Sequence, residues 1–209
     1  MEITWYGMSC FRLTERKMAT VITDPYNGKL GLPPLKLKAD VVTSSHEAVG
    51  HRYLTDDSNY SQAIPGQGEY EIGVVFITGE PTHRKPEQRE NVLFVITYDN
   101  ITVAHLGDID QVPSQSQLEA LGQIHVLLLP VGSGKSLNAS QAAEIVSMLE
   151  PNIVIPMHYS IDGLKVELEE VDRFLKEMGV TEPKVQSSLK ISSSSLPEET
   201  DTILLTPKL

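Results

Sequence analysis

Residues 91–108, NVLFVITYDNITVAHLGD, mark the point at which the sequence changes from one pattern of secondary structure to another. Two apolar runs, 91–98 and 101–104, flank Asp99-Asn100, a pair that favours a hairpin turn. Before this stretch the chain is predicted to form short strands separated by polar or glycine-containing breaks. After it, predicted strands and helices alternate, so helices are expected to pack over sheets. The sequence therefore predicts an α/β fold.

The predicted elements on either side support this interpretation. The early strands are residues 3–6, 10–13, 19–23, 40–43 and a run within 68–78 whose alternating Tyr70, Ile72, Val74 and Phe76 share one face. The helices run from a Ser114 cap through Leu121, from an Asn138 cap through Leu149, and over 165–178. The later strands are 125–129, 153–155, 185–191 and 202–205. Two sheets back to back with helices outside fit this order, and so do other α/β layer arrangements.

Length and composition restrict the class of protein. The 209 residues predict a single domain over 1–209, with a core that needs no disulfide; the lone cysteine, Cys10, is assigned to that core. The net charge of −11 opposes binding to nucleic acid. No apolar run approaches the roughly 18 residues that span a bilayer, and residues 1–4 lack a signal-peptide pattern. We expect a cytoplasmic protein with a small-molecule substrate and no membrane partner; a homo-oligomer is compatible with the sequence.

Histidines follow several predicted strands. His46 follows residues 41–43, His83 follows the 74–78 run, His105 and Asp108 follow 101–104, and His158 follows 153–156. Side chains at neighbouring strand ends can converge, and imidazoles with a carboxylate are typical zinc ligands. The alternative is that these are ordinary surface and core histidines. His125 lies inside its strand and is predicted to be a sheet histidine with a satisfied hydrogen bond.

Five short stretches, in order along nearly the whole chain, resemble the metallo-β-lactamase superfamily. They are Trp5-Tyr6-Gly7, Thr23-Asp24-Pro25-Tyr26, Ser45-His46 through Gly50-His51, Leu106-Gly107-Asp108 and Pro156-Met157-His158-Tyr159. They are most similar to its small ascorbate-phosphate-lactonase-like branch of zinc-dependent hydrolases. The resemblance implies a four-layer αββα sandwich, with two mixed β-sheets, helices on the outside and a metal site at one edge.

The resemblance also implies a set of ligands. One half-site would hold a metal ion through His46, His83 and Asp108, and the other through His51, His158 and the same Asp108. The family loop His-x-His-x-Asp-His is degenerate here, because Ala48 and Gly50 replace two of its ligands, and Met8 stands where relatives often carry histidine. We expect one or two divalent ions, zinc or manganese, with iron also compatible with the loosened site.

This set of ligands predicts hydrolysis of a small-molecule ester, lactone or phosphoester by metal-activated water. Asp108 is expected to hold the water and accept its proton, with His105 as a nearby proton acceptor or orienting partner. The alternative for His105 is pairing with nearby backbone. The alternative for the whole protein is a catalytically degenerate member of the fold with a binding or regulatory role, which Ala48 and Met8 favour because each stands where relatives carry histidine. A nuclease ranks third because the net charge opposes it.

Other polar groups near the predicted site have weaker signals. Residues 131–136, VGSGKS, are not a P-loop because position 129 is Leu, so we interpret them as a glycine-rich loop whose Lys135 could meet an anion. Arg84, Lys85 and Arg89 could steer an acidic substrate, although a solvated loop is the default interpretation. Glu47 could substitute for the missing ligand but is more typical of a solvated loop carboxylate.

Overall fold

The computed structural model describes residues 1–48, 50, 60–82 and 90–209. Within this part of the chain, fourteen strands form two mixed sheets. The six-stranded sheet consists of β1 (Glu2–Trp5), β2 (Phe11–Thr14), β3 (Val21–Thr23), β4 (Ala39–Thr43), β5 (Tyr60–Ile64) and β13 (Leu189–Lys190). The eight-stranded sheet consists of β6 (Gly68–Ile72), β7 (Val75–Pro81), β8 (Val92–Tyr98), β9 (Ile101–His105), β10 (Val126–Pro130), β11 (Ile153–Met157), β12 (Lys184–Gln186) and β14 (Asp201–Leu205). The expectation of two mixed sheets is confirmed.

The strand order places parallel strands in both sheets. The first sheet is ordered β13-β1-β2-β3-β4-β5 and the second β12-β14-β11-β10-β9-β8-β7-β6. Strand β3 runs parallel to β4, and β9, β10 and β11 run parallel to one another. The chain therefore leaves each of these five strands at the carboxyl edge of its sheet, where loops commonly carry functional groups.

Burial explains why these residues form strands in a two-layer core. Strands β1 and β2 alternate between buried and partly exposed positions, which directs Ile3, Trp5, Phe11 and Leu13 into the main core. Strands β10 and β11 are buried at every position. Such continuously apolar runs are typical of parallel strands that are covered on both faces.

Three α-helices occur in the described residues, α1 (Gln115–Ala120), α2 (Ala139–Leu149) and α3 (Asp172–Glu177). Both predicted caps are confirmed, because Ser114 and Asn138 each form a capping box with the glutamine three residues later. Helix α2 buries Ala142, Ile145 and Val146 in the main core. No helix in the described ranges is both long enough and apolar enough to cross a membrane.

The outer face of the six-stranded sheet is covered differently. The segment 24–38, which contains one turn of 3-10 helix at Gly28–Leu30, packs over it. The residues of this second apolar cluster are Tyr6, Met8, Cys10, Ile22, Tyr26, Leu30, Leu32 and Val42. In the described part of the chain, loop side chains therefore supply the outer layer on this side.

The prediction of one strand face within residues 68–78 is wrong. These residues form the antiparallel pair β6 and β7, joined through Gly73 at φ 62°. The turn reverses the alternation, so Val75 and Ile77 are buried while Phe76 is 53% exposed. Period-2 patterning could not locate the reversal because residues on both sides of Gly73 are apolar.

The predictions of a helix over 165–178 and of a strand over 185–191 are also wrong in extent. Only α3 is helical in the first range, because the Glu169 backbone pairs elsewhere: its N–H donates to Gly132 O at 2.8 Å and its carbonyl accepts from Ser160 N at 2.9 Å. The second range divides into β12 and β13, which belong to different sheets. Strand β5 was not predicted at all.

Candidate metal centre

Polar side chains from both sheets meet just beyond the carboxyl ends of the parallel strands. Asp24 follows β3, and Ser45 and His46 follow β4 in the six-stranded sheet. Asp108, Ser136 and His158 follow β9, β10 and β11 in the eight-stranded sheet. This edge is the one that the sequence predicted.

His46 and His158 both face the carboxylate of Asp108. His46 Nε2 lies 3.9 Å from Asp108 Oδ2, and His158 Nδ1 lies 3.6 Å from Asp108 Oδ1. All three side chains are at most 7% exposed. Burial of a carboxylate between two imidazoles is costly unless hydrogen bonds or a cation compensate the charge. The arrangement therefore has the polarity of a cation site.

A buried carboxylate supports His46 from behind. Asp24 is fully buried and accepts hydrogen bonds from Ser45 N at 2.7 Å and Ser45 Oγ at 2.5 Å. Ser45 Oγ in turn lies 3.1 Å from His46 Nδ1. Because the serine proton goes to the carboxylate, the imidazole Nδ1–H is the donor in the second contact. His46 is thereby oriented with Nε2 toward Asp108.

The turn that presents Asp108 is clamped by Asn91. Asn91 Oδ1 accepts from Asp108 N at 2.9 Å, and its amide group donates to Leu106 O at 3.1 Å. Gly107 has φ 64°, and a Cβ there would lie 2.4 Å from Asn91 Oδ1 and 2.5 Å from Ser45 Cβ. Glycine is therefore required in the Leu-Gly-Asp motif for close approach of the two sheets as well as for backbone conformation.

Backbone groups hold His158 in an uncommon left-handed conformation with φ 54°. Its N–H donates to Met8 O at 3.1 Å, and its carbonyl accepts from Gly132 N at 3.0 Å. A Cβ at position 132 would lie 2.2 Å from His158 O, so only glycine fits there. The Ser136 hydroxyl hydrogen-bonds to Asp108 Oδ1 and lies 3.1 Å from His158 Nδ1.

The structure brings together His46, Asp108 and His158 from the predicted ligand set. The other two predicted ligands, His51 and His83, lie outside the described residues, as do Arg84, Lys85 and Arg89. Glu47 and Lys135 are exposed.

His105 is buried and contacts backbone through both ring nitrogens. Its Nε2 lies 2.8 Å from Ser9 O, and its Nδ1 accepts from Gly107 N at 3.2 Å. Its ring also packs edge-on against Phe11. These contacts correspond to the backbone-pairing alternative of the sequence analysis, and they tie the turn that carries Asp108 to the first sheet.

His125 and Cys10 have the structural roles that the sequence predicted. His125 Nδ1 accepts a hydrogen bond from Thr102 N at 3.0 Å, and burial lowers the pKa of this imidazole. Cys10 is fully buried, and burial together with the charge of Asp24 raises the pKa of its thiol. A buried thiol with a raised pKa is a poor nucleophile.

His46, Asp108 and His158 can form part of a site for a divalent metal ion. Two bonds of about 2.0–2.2 Å span the 3.9 Å between His46 Nε2 and Asp108 Oδ2. No group of three His, Cys, Asp or Glu side chains positioned to hold an ion occurs among residues 1–48, 50, 60–82 and 90–209. Each predicted half-site also contains one histidine outside those ranges, so the described residues supply two of its three ligands.

Sequence reasoning missed four polar residues that orient this edge. They are Asp24, Ser45, Asn91 and Ser136. Asp24 and Ser45 lie within the quoted motifs, so their position there was an available signal. Asn91 and Ser136 lie in stretches that the sequence analysis discussed, but each acts through a contact between chain segments at least 15 residues apart, which local patterns do not indicate.

Comparison with known proteins relates this chain to the β-lactamase superfamily. The family model of the β-lactamase superfamily domain matches residues 2–158. A UPF0173 protein of Pyrococcus abyssi is 28% identical, over 81% of this chain and 91% of the relative. A UPF0173 metal-dependent hydrolase of Methanopyrus kandleri is 26% identical, over 86% of this chain and 94% of the relative.

A solved structure extends the similarity to the fold. A proposed zinc-dependent hydrolase of the metallo-β-lactamase superfamily from Thermotoga maritima superimposes with a TM-score of 0.81 and 32% identity. The match covers 98% of this chain and 97% of that one. The predicted metallo-β-lactamase-like fold is therefore confirmed.

Proposed function

Because this chain belongs to the β-lactamase superfamily and is a metal-dependent hydrolase, we propose that it hydrolyses a small-molecule ester, lactone or phosphoester. The reaction is assigned to the edge where His46, Asp108 and His158 meet. The observation that carries the proposal is the buried Asp108 carboxylate, which faces one imidazole with each of its oxygens.

Residues His46, His51, His83, Asp108 and His158 would hold the metal, zinc or manganese, as one or two ions. When bound, a divalent ion lowers the pKa of a coordinated water and polarises a substrate oxygen. Asp108, whose Oδ2 faces His46 Nε2 at 3.9 Å, is proposed to hold the attacking water and accept its proton. Asn91 accepts a hydrogen bond from Asp108 N and so supports the turn that carries this carboxylate.

His105 is proposed to act through Asp108 instead of on the substrate. Its hydrogen bonds to Ser9 O and from Gly107 N fix the turn on which Asp108 stands. Replacement of His105 is therefore expected to disturb the position of the carboxylate. The contacts of both ring nitrogens with backbone argue against a proton-transfer role.

The chemistry of the surroundings favours a small substrate. The chain carries a net charge of −11, which repels nucleic acid. Lys135 is exposed on the loop that follows β10, and it is proposed to pair with an anionic group of a small ester or phosphoester. The buried Cys10 thiol is consistent with the proposed cytoplasmic location, where thiols remain reduced.

Metal analysis combined with chelation tests the proposal. The purified protein is loaded with zinc or manganese, metal content is measured, and turnover of lactones and phosphodiesters is followed before and after chelation. We expect bound metal and chelator-sensitive turnover, both lost in Asp108→Asn. Asp110→Asn, which changes an exposed carboxylate two residues away, is the matched control and should retain both. Absence of bound metal at saturating zinc and manganese, together with no chelator-sensitive turnover, would refute the proposal.

A substitution at position 48 tests whether the protein is a hydrolase or a degenerate binding protein. Ala48 cannot coordinate a metal, and the family loop places a histidine there. A large gain in metal affinity or rate in Ala48→His would show that the natural site has decayed toward a binding role. No gain would show that other groups already complete the site.

A further inference from the structure

Backbone hydrogen bonds hold the glycine-rich loop after β10, residues 131–136, in a defined conformation. Ser133 N donates to Leu137 O at 3.1 Å, and Ser136 N donates to Ser133 O at 3.2 Å. Leu137 N donates to Ile109 O at 3.1 Å, which fixes the loop to the segment that follows Asp108. The loop therefore places the Ser136 side chain against the candidate metal centre with little freedom.

The Ser136 hydroxyl has two partners of different kinds. It hydrogen-bonds to Asp108 Oδ1 and lies 3.1 Å from His158 Nδ1. An ionised carboxylate only accepts hydrogen bonds, and a hydroxyl has a single proton to donate. The Ser136 proton is therefore donated to Asp108, and the contact with His158 requires a proton on Nδ1 of the imidazole.

We propose that Ser136 is a positioning residue that holds His158 as the Nδ1–H tautomer, which leaves the lone pair of the imidazole on Nε2. The part of this inference that concerns the metal rests on the proposed function. A neutral histidine has one protonated and one unprotonated ring nitrogen, and the hydrogen bond made by one nitrogen decides which form is populated. Only the unprotonated nitrogen can bind a metal.

Asp108 cannot replace the hydroxyl in this role without movement. Its Oδ1 lies 3.6 Å from His158 Nδ1, which is beyond the range of a normal hydrogen bond. Ser136 bridges this gap. The contact also distinguishes the two carboxylate oxygens, because Oδ1 accepts from Ser136 while Oδ2 faces His46.

The second sheet thereby repeats an arrangement found in the first. In the first sheet, Ser45 Oγ donates to the Asp24 carboxylate at 2.5 Å and lies 3.1 Å from His46 Nδ1. In the second sheet, the Ser136 hydroxyl likewise contacts both the Asp108 carboxylate and His158 Nδ1. Hydrogen bonds to a metal-binding histidine commonly fix its tautomer, so each serine fixes the tautomer of its imidazole before an ion binds. The two arrangements differ in one respect, because Asp24 lies behind His46 whereas Asp108 is itself a proposed ligand.

Nitrogen NMR of the metal-free full-length protein tests the tautomer directly. Histidines are labelled with nitrogen-15, spectra that correlate ring nitrogens with ring protons are recorded at about pH 8.5, where unperturbed imidazoles are neutral, and the His158 signals are identified by their loss in His158→Gln. Wild type is expected to show the pattern of the Nδ1–H form. Ser136→Ala should shift His158 toward a mixture of tautomers, and Ser136→Thr, which keeps a hydroxyl, should restore the wild-type pattern.

Ser133→Ala is the matched control because Ser133 lies in the same loop and pairs with Leu137 and Ser136 through its backbone, which the substitution keeps. It should leave the tautomer unchanged. Zinc affinity provides a second measurement, with an expected loss of about 10–100-fold in Ser136→Ala. An Nε2–H form in wild type, or an unchanged pattern in Ser136→Ala, overturns the inference. The tautomer measurement needs neither metal nor turnover, so its failure is distinguishable from failure of the proposed hydrolase function.

Discussion

Single buried polar residues orient His46 and the turn of Asp108. Asp24 is fully buried and accepts a hydrogen bond from Ser45. Asn91 holds the turn of Asp108 with its side-chain amide. Such groups are costly to bury unless hydrogen-bonded, so their presence in the structure reflects a constraint on geometry more than a gain in stability. Their removal should affect the site more than the fold.

Asp24→Asn is expected to weaken metal binding by about 10–100-fold, since the neutral amide holds the Ser45 hydroxyl and His46 less firmly. Asparagine tolerates the left-handed φ of 39° at this position, so the backbone should be retained. Calorimetric titration with zinc measures the affinity. Asp40→Asn, whose carboxylate accepts from Thr20 N in the same sheet, is the control. Equal affinities for the two variants would contradict this role of Asp24.

His125 is expected to make the free energy of unfolding depend on pH, in a direction that follows from the shift of its pKa. Burial lowers its pKa in the folded state, so the unfolded chain takes up the proton first as the pH falls. The contribution of this group to stability is therefore complete above about pH 6.5, the unperturbed value, and is lost as the pH falls through the lower pKa of the folded state.

His125→Gln should therefore show a smaller decrease in unfolding free energy between pH 7 and pH 5 than wild type. Urea unfolding at a series of pH values measures the difference. Gln123→Asn, an exposed change two residues earlier, should follow the wild-type curve. If the unfolding free energy of His125→Gln decreases with falling pH as steeply as that of wild type, this imidazole does not titrate differently on folding.

At the scale of elements, the hairpin of β6 and β7 shows how a turn sets which residues enter the core. Ile77 is fully buried and Phe76 is 53% exposed, although phenylalanine is the larger apolar residue. The pairing Ile72 with Val75 across Gly73 fixes this register. A shift by one residue would exchange every side chain between the two faces.

Paired alanine substitutions test the register. Ile77→Ala should lower the unfolding free energy by about 2–5 kcal/mol because it creates a core cavity. Phe76→Ala should change it by about 0.5 kcal/mol or less, as expected for an exposed position. Urea unfolding of both variants measures the difference. A larger loss for Phe76→Ala would mean that the hairpin has the opposite register or that Phe76 is covered in solution.

At the scale of the whole molecule, the candidate metal centre joins the two sheets. His46 belongs to the loop after β4 of the six-stranded sheet, and Asp108 and His158 follow strands of the eight-stranded sheet. A metal ion held by these residues would link the two layers. It is expected to stabilise the native state, because the unfolded chain does not hold these groups together.

Thermal unfolding with and without metal measures this link. At a metal concentration of about 100 times Kd, the expected stabilisation of about 2.7 kcal/mol raises Tm by about 5–10 °C for a chain of this size. A chelator should reverse the shift, and Asp108→Asn should abolish it while Asp110→Asn retains it. If Asp108→Asn keeps the full shift, the stabilising ion binds elsewhere.

The sequence alone determined the class of fold and predicted the edge at which the candidate site lies. Apolar runs and caps identified β8 to β11 and helix α2 because their signals are local, within a few residues of chain. The stretches around His46, Asp108 and His158 were predicted to converge because each follows a strand. His51 and His83 stay predictions, since they lie outside the described residues.

Only the tertiary structure decided how the converging groups are oriented. Ser136 and Asp108 are 28 positions apart, and their hydrogen bond depends on how the loop after β10 packs against the turn after β9. The extent of the helix before Glu177 was likewise decided by backbone pairing of Glu169 with Gly132. Local patterns report what a segment prefers by itself, whereas hydrogen bonds between distant segments exist only once both sheets have packed.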